Sequence, residues 1–216
     1  MKQNEPFVIT INRELGSGGR TVGEKLAQKL GVQFYDKALI KALCHEYNLT
    51  VDEVESLKGV KQDWWEDFKR HVVPFYDTAR TQFYRTADGI EPYLITTASI
   101  YKTEKRLLQE IAEKESCVIT GRLGFHVFKE HPNHLSILIQ APMEKRIERI
   151  VRKKGISEEK AKQLIKELDE KRENYVQRFT ETSRYDTRNY DLVINMQGLT
   201  EEAAANLIMD YIKKSE

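Results

Sequence analysis

Ile9-Thr10-Ile11-Asn12-Arg13-Glu14-Leu15-Gly16-Ser17-Gly18-Gly19-Arg20-Thr21 carries an apolar strand into a glycine-rich turn and straight on into an amphipathic helix. Glycines at 16, 18 and 19 open backbone conformations closed to residues with a Cβ. Successive N–H groups can then converge on an anion at the helix N-terminus. An ordinary strand-to-helix turn is the plainer reading. It needs one glycine, however, and each further one costs about 0.5–1 kcal/mol of backbone entropy where a regular element could have run. Three in four positions argue for a phosphate cradle.

Laid on the phosphate-loop pattern G-x-x-x-x-G-K-[ST], with Gly18 as the second glycine, the first glycine slot holds Arg13 and the lysine slot holds Gly19. Arg20 takes the Ser/Thr slot and Thr21 follows. The cradle is kept and its lysine is lost, so Arg20 or Arg13 has to supply the charge. Arg20 is the nearer to the vacated slot and is expected to contribute about 1–3 kcal/mol to triphosphate binding, the worth of a charge-assisted hydrogen bond.

Outward from this stretch, apolar strands are expected at 7–12, 32–35, 116–120, 135–140 and 191–195, with helices at 20–30, 37–47, 97–114, 143–154, 157–179 and 200–213 between them. Strands alternating with helices predict an α/β fold, a parallel sheet covered on both faces. The region from 51 to about 92, rich in Trp and Tyr, reads as helical with no strand signal. Its aromatics suit subdomain packing or a homodimer surface better than base stacking. At 216 residues, 40% of them hydrophobic, one α/β domain with an inserted subdomain is accommodated.

The 35 basic and 34 acidic residues nearly cancel, which gives no footprint for nucleic acid or an anionic membrane. Cys44 and Cys117 fall within an expected helix and strand, as small buried thiols do in a reducing compartment. The five histidines show no metal-ligand spacing. The N-terminus lacks an apolar run behind a basic start, and a cytoplasmic protein is expected.

In such sheets ligands gather beyond the C-terminal strand ends. The candidates there are the glycine loop, Asp36 after the second strand and Arg122 after the third. Asp36 is equally suited to capping the helix that follows it. Arg172 and Arg178 lie on a helix full of charges, where a solvated ion-paired face is the alternative to a role in binding.

These stretches, with F-Y-D-K-A-L-I at 34–40, C-V-I-T-G-R at 117–122, L-D-E-K-R at 168–172 and Y-D-L-V-I-N at 190–195, resemble the cytidylate kinase-like family. That family comprises relatives of bacterial cytidylate kinase among the P-loop nucleoside monophosphate kinases, and the likeness covers nearly the whole chain. It implies a single P-loop kinase-like domain over 1–216 with a five-stranded parallel sheet. Residues of about 50–95 would be a helical monophosphate-binding region and about 143–190 a lid. The chain departs from cytidylate kinases proper at several positions. Thr120 and Leu123 replace the acids flanking the arginine of D-G-R-D, the Y-R pair after the second strand becomes Ile40-Lys41 or Lys41-Ala42, and Leu168 stands where the lid carries an arginine.

By the resemblance the activity would be transfer of the γ-phosphoryl of ATP, with Mg²⁺, to a nucleoside monophosphate such as CMP or dCMP. Arg13, Gly16, Ser17, Gly18, Gly19, Arg20 and Thr21 would hold the donor, with the Thr21 hydroxyl near Mg²⁺. Asp36 and Arg122 would hold the acceptor, and Arg20, Arg172 and Arg178 would act on the transferred group. The alternatives are a nucleotide-binding regulatory module with little or no kinase activity, and a small-molecule kinase with a non-nucleotide acceptor.

Overall fold

The computed structural model describes residues 4–36, 82–86, 89–93, 97–121 and 123–215. The chain divides into two compact units, 1–37 with 108–216, and 38–107. The first holds the glycine loop and the expected lid. Five parallel strands form its sheet: β1 (Val8–Arg13), β2 (Gln33–Tyr35), β5 (Cys117–Thr120), β6 (His134–Gln140) and β7 (Leu192–Asn195), in the order β2-β5-β1-β6-β7. The apolar runs at 8–11, 117–120 and 135–139 are buried without alternation, as strands covered on both faces require. β1 lies at the centre, with Val8 opposite Cys117 on one side and His134 on the other. The chain winds one way from β1 to β2 and the other way from β5 to β6, so the crevice of this sheet opens at the end of β1.

Helix α1 (Gly19–Leu30) packs Val22, Leu26 and Ala27 into a core shared with Ile9, Ile11, Ile137 and Ile139 of the sheet and Ala204, Ala205, Ile208 and Ile212 of α6 (Glu201–Lys214). α1 stops at Gly31 in the left-handed region, and α6 starts on Thr200, whose hydroxyl accepts from the Ala203 N–H. α2 (Thr97–Lys114) leads into β5, and the single turn α3 (Gly124–Val127) follows it. A smaller core joins α4 (Met143–Lys154) to α5 (Glu158–Thr180) through Ile150, Ala161 and Ile165, with Leu15 of the glycine loop packed against them. The helices expected as the lid thus grip the loop directly. Ser157 caps α5, its hydroxyl accepting from Lys160 N–H, with Glu158 and Glu159 in the first turn.

The five strands and most helices lie where the sequence predicts them. The expected helix at 37–47 lies outside the described residues. The reading of 51–92 as helical and strandless is corrected within the second unit, where β3 (Gln82–Thr86) and β4 (Gly89–Tyr93) form an antiparallel hairpin. Thr86 pairs with Gly89, leaving two residues between the strands. Pro92 sits opposite Phe83, as a two-stranded ribbon permits for a residue without an N–H.

Cys117 is a free buried thiol pushed up to about 12 by burial, in line with a structural role. His134 is tied by Nε2 to the Thr10 hydroxyl at 2.7 Å, and burial, outweighing the Asp191 carboxylate, lowers it to about 4. Its folded value lies below the unfolded 6.5, so between those values the unfolded chain binds the extra proton and stability rises with pH. The contribution is complete above about pH 6.5 and lost as pH falls to 4, a difference of about 2–3 kcal/mol. Urea titrations at pH 7 and pH 4.5 are expected to show a larger loss for the wild type than for His134→Gln, and equal losses would refute this account.

Candidate donor and lid site

The backbone shapes the glycine loop before any side chain acts. Gly16 and Gly18 have φ of 84° and 88°, in the left-handed region. A Cβ at Gly16 would lie 2.8 Å from the Arg146 carbonyl oxygen of α4, so the loop's close seat on that helix admits only glycine there. Gly18 is the N-cap of α1, and it supplies no side-chain cap. The Ser17 hydroxyl turns back, donating to the Glu14 carbonyl at 3.0 Å and receiving a long 3.4 Å bond from Gly19 N–H. The first intrahelical bond is donated by Val22 to Gly18. The amides of residues 18–21 therefore precede the helix ladder and carry its positive end.

Arg149 of α4 stands over this helix end. It donates to Glu201 and, at 3.5 Å, to the Thr21 hydroxyl, and its Nη1 lies 3.1 Å from where a Cβ on Gly18 would be. Beside it opens a cleft of about 160 Å³ lined by Gly16, Ser17, Lys145, Arg149, Arg152 and Leu199 among others. That is below the roughly 300–1,000 Å³ of a typical ligand pocket, room for part of a nucleotide.

On the other flank a buried ionic cluster fastens α4 and α5 to the loop. Asp169 of α5 accepts from the Leu15 N–H at 3.1 Å and from Arg146, Arg172 Nη1 lies 3.2 Å away and Arg184 Nη1 3.8 Å away. Glu14 lies 3.3 Å from Arg146 and accepts from the Ala141 N–H, so three guanidiniums face two carboxylates. Arg172 and Arg184 both donate to the Arg13 carbonyl. Arg184 is only 1% exposed, stacks 5.2 Å from the Tyr185 ring, and its Nε and Nη1 have no hydrogen-bond partner among the described residues. Although a third of the Arg172 side chain reaches solvent, crowding of its head group by burial and by Arg184 pulls its pKa below the usual arginine value, with Asp169 opposing.

The fold brings together Arg13, residues 16–19, Thr21 and Arg172 of the residues expected from sequence. Arg20 turns outward: its Nη1 pairs with Glu24 at 2.7 Å, its Nε with Asp36 at 2.8 Å, and its guanidinium lies 5.8 Å from the Phe34 ring. Asp36 is thereby placed beside the start of α1. Arg178 lies 5.8 Å from the Phe179 ring, away from the Asp169 contacts. Arg122 lies outside the described residues. Gly121, the last described residue before it, donates its N–H to the Ile11 carbonyl of β1.

Glu14, Arg146, Arg149 and Arg184 were not singled out by sequence. Arg146 and Arg149 are three apart on the helix that follows β6, a spacing that puts both on the loop-facing side. Arg184 has no local signal.

A glycine loop at the N-terminus of α1, at the switch point of a five-stranded parallel sheet and roofed by a basic helix pair, defines the class of P-loop kinase-like α/β proteins. The family model described as the cytidylate kinase-like family matches residues 8–198. The chain belongs to that family. It is 30% identical over 208 residues to a cytidylate kinase of Sulfolobus acidocaldarius, covering 95% of this chain and 94% of that one. It is also 26% identical over 211 residues to an S-adenosylmethionine-dependent nucleotide dehydratase of Lacinutrix mariniflava, covering 96% of this chain but only 36% of that protein's length. A solved structure of an uncharacterized Eubacterium ventriosum protein shares the fold, with a TM-score of 0.70 at 24% identity over 97% of this chain and 99% of that one. Among the described residues no helix is long and apolar enough to cross a membrane.

Proposed function

We propose that this chain transfers the γ-phosphoryl group of ATP to a nucleoside monophosphate such as CMP or dCMP, in the cytoplasm. The observation that carries the reading is the uncapped N-terminus of α1, with the amides of residues 18–21 in one turn and Arg149 over it. Donor phosphates laid there would meet the helix dipole, the orphan amides and a guanidinium held in place by Glu201. An oxygen of the acceptor phosphate attacks the γ-phosphorus, the bond to the β,γ-bridging oxygen breaks, and ADP leaves. The protein's share is positioning and neutralising charge. Arg122 grips the acceptor phosphate, and Arg172 with Arg178 closes over the transferred group from the lid.

Among the described residues no cluster of acids, histidines or cysteines could hold a metal by itself. Mg²⁺ in phosphoryl-transfer sites is held by substrate phosphates and one or two protein ligands, and the Thr21 hydroxyl, tied only at 3.5 Å, fits that sparse demand. Bound there, the ion would neutralise phosphate charge.

Calorimetric titration with ATP–Mg²⁺, run beside a coupled ADP-release assay across the ribo- and deoxynucleoside monophosphates, tests the proposal. Saturable ATP binding with turnover fastest on CMP or dCMP is the expected result. Binding without turnover would assign a nucleotide-binding module instead, and no binding at all would refute the donor site.

A further inference from the structure

We propose that Arg13 and Gly19 are a reciprocal exchange: the loop's phosphate-binding cation is rooted at residue 13, and residue 19 is glycine because Arg13 occupies its space. The proposal deepens the donor-site reading and rests on it. In the standard pattern the first glycine and the lysine stand where this chain has Arg13 and Gly19. A Cβ built on Gly19 would fall 2.7 Å from Arg13 Cβ, 3.4 Å from its Cγ and 3.3 Å from Ile139 Cβ. Two of these atoms are the first side-chain atoms of neighbouring strands, whose positions the sheet register fixes, so no rotamer change relieves the clash.

From Gly19 the Arg13 side chain runs on across the crevice. Its Nη1 lies 2.7 Å from where a Cβ on Gly121 would stand. The guanidinium thus occupies a slot made by two missing side chains, spanning from the helix that carries the cradle to the C-terminal end of β5. A lysine rising from position 19 would cover the same ground. Arg20 is drawn the other way, towards Glu24 and Asp36. On this geometry a cation at 13 with glycine at 19 performs the work of glycine at 13 with lysine at 19, and the two arrangements exclude each other.

The test is a four-variant cycle read by ATP–Mg²⁺ calorimetry and by thermal melting: wild type, Arg13→Gly, Gly19→Lys, and the double variant, with Arg13→Ala and Arg20→Ala alongside. Arg13→Ala and Arg13→Gly are expected to bind about 10- to 100-fold more weakly, the worth of one charge-assisted hydrogen bond. Gly19→Lys should melt well below wild type. Arg13→Gly/Gly19→Lys should recover both a cooperative melt and affinity at least about tenfold above Arg13→Gly, since it restores the glycine and the lysine of the standard loop while Arg20 keeps the Ser/Thr slot. If Gly19→Lys alone does not fold, recovery of the melt in the double variant remains the deciding readout. Arg13→Ala at wild-type affinity, a loss confined to Arg20→Ala, or a double variant no better than Gly19→Lys would each overturn the exchange while leaving the donor site standing. A wild type that does not bind ATP–Mg²⁺ would remove the donor-site reading itself, and this inference with it.

Discussion

Replacing Asp169 with alanine is expected to lower folding stability by about 3–5 kcal/mol, the range for breaking a buried ion pair by removing one partner. Against a usual total of about 5–15 kcal/mol, that is a large share. The reason is the stoichiometry of the cluster. Asp169 receives the Leu15 N–H and faces Arg146, Arg172 and Arg184, and Glu14 is the one other carboxylate paired in it. Without Asp169, the 1%-exposed Arg184 guanidinium loses its ion-pair partner among the described residues, and the glycine loop loses its bond to α5. Asp169→Asn, which can still accept from Leu15, should lose less than the alanine variant and more than nothing. Urea denaturation with an unchanged m-value and a lowered midpoint is the expected signature. A loss below about 1 kcal/mol, the level of an exposed pair, would show that the cluster does not fasten α5 to the glycine loop.

The second large effect is expected at the acceptor side. Arg122→Ala should reduce kcat/KM for the monophosphate by about 30- to 5,000-fold, equivalent to the 2–5 kcal/mol lost when one partner of a buried charge pair is truncated. ATP–Mg²⁺ affinity should stay close to that of the wild type. Gly121, the residue before Arg122, follows β5 and donates its N–H to the Ile11 carbonyl of β1, the strand that leads into the glycine loop. Arg122→Lys should recover only part of the loss, because an ammonium cannot reproduce the bidentate fork of a guanidinium. Equal losses in ATP affinity and acceptor KM would place Arg122 on the donor instead.

The parts of the site legible in sequence are those built from neighbours in the chain. The loop from Arg13 to Thr21 could be read because its glycines dictate backbone shape locally, and the strands because runs such as Leu135–Gln140 have no other stable place than a sheet covered on both faces. The hairpin at 82–93 escaped because its two strands have only each other in that sheet, and the region around it is dominated by aromatics and charges without a clear period. Arg20 looked like the lysine's substitute by proximity along the chain. On a helix, residue 20 faces residue 24, and Glu24 takes its guanidinium together with Asp36.

By itself the sequence determined the fold class and the glycine-rich turn at 16–19, through hydrophobic period and local backbone demands, and its motifs carried the resemblance to the family. Only the tertiary structure decided which charges serve the loop. Leu15 and its acceptor Asp169 are 154 residues apart, Arg149 and Glu201 52, and Arg13 and Arg184 171. Charged side chains carry no periodic signature of their partners. Their pairing is fixed when the sheet order brings the ends of β1, β5 and β6 to one edge and the α4–α5 pair closes over the loop, with burial making each match or mismatch worth kilocalories.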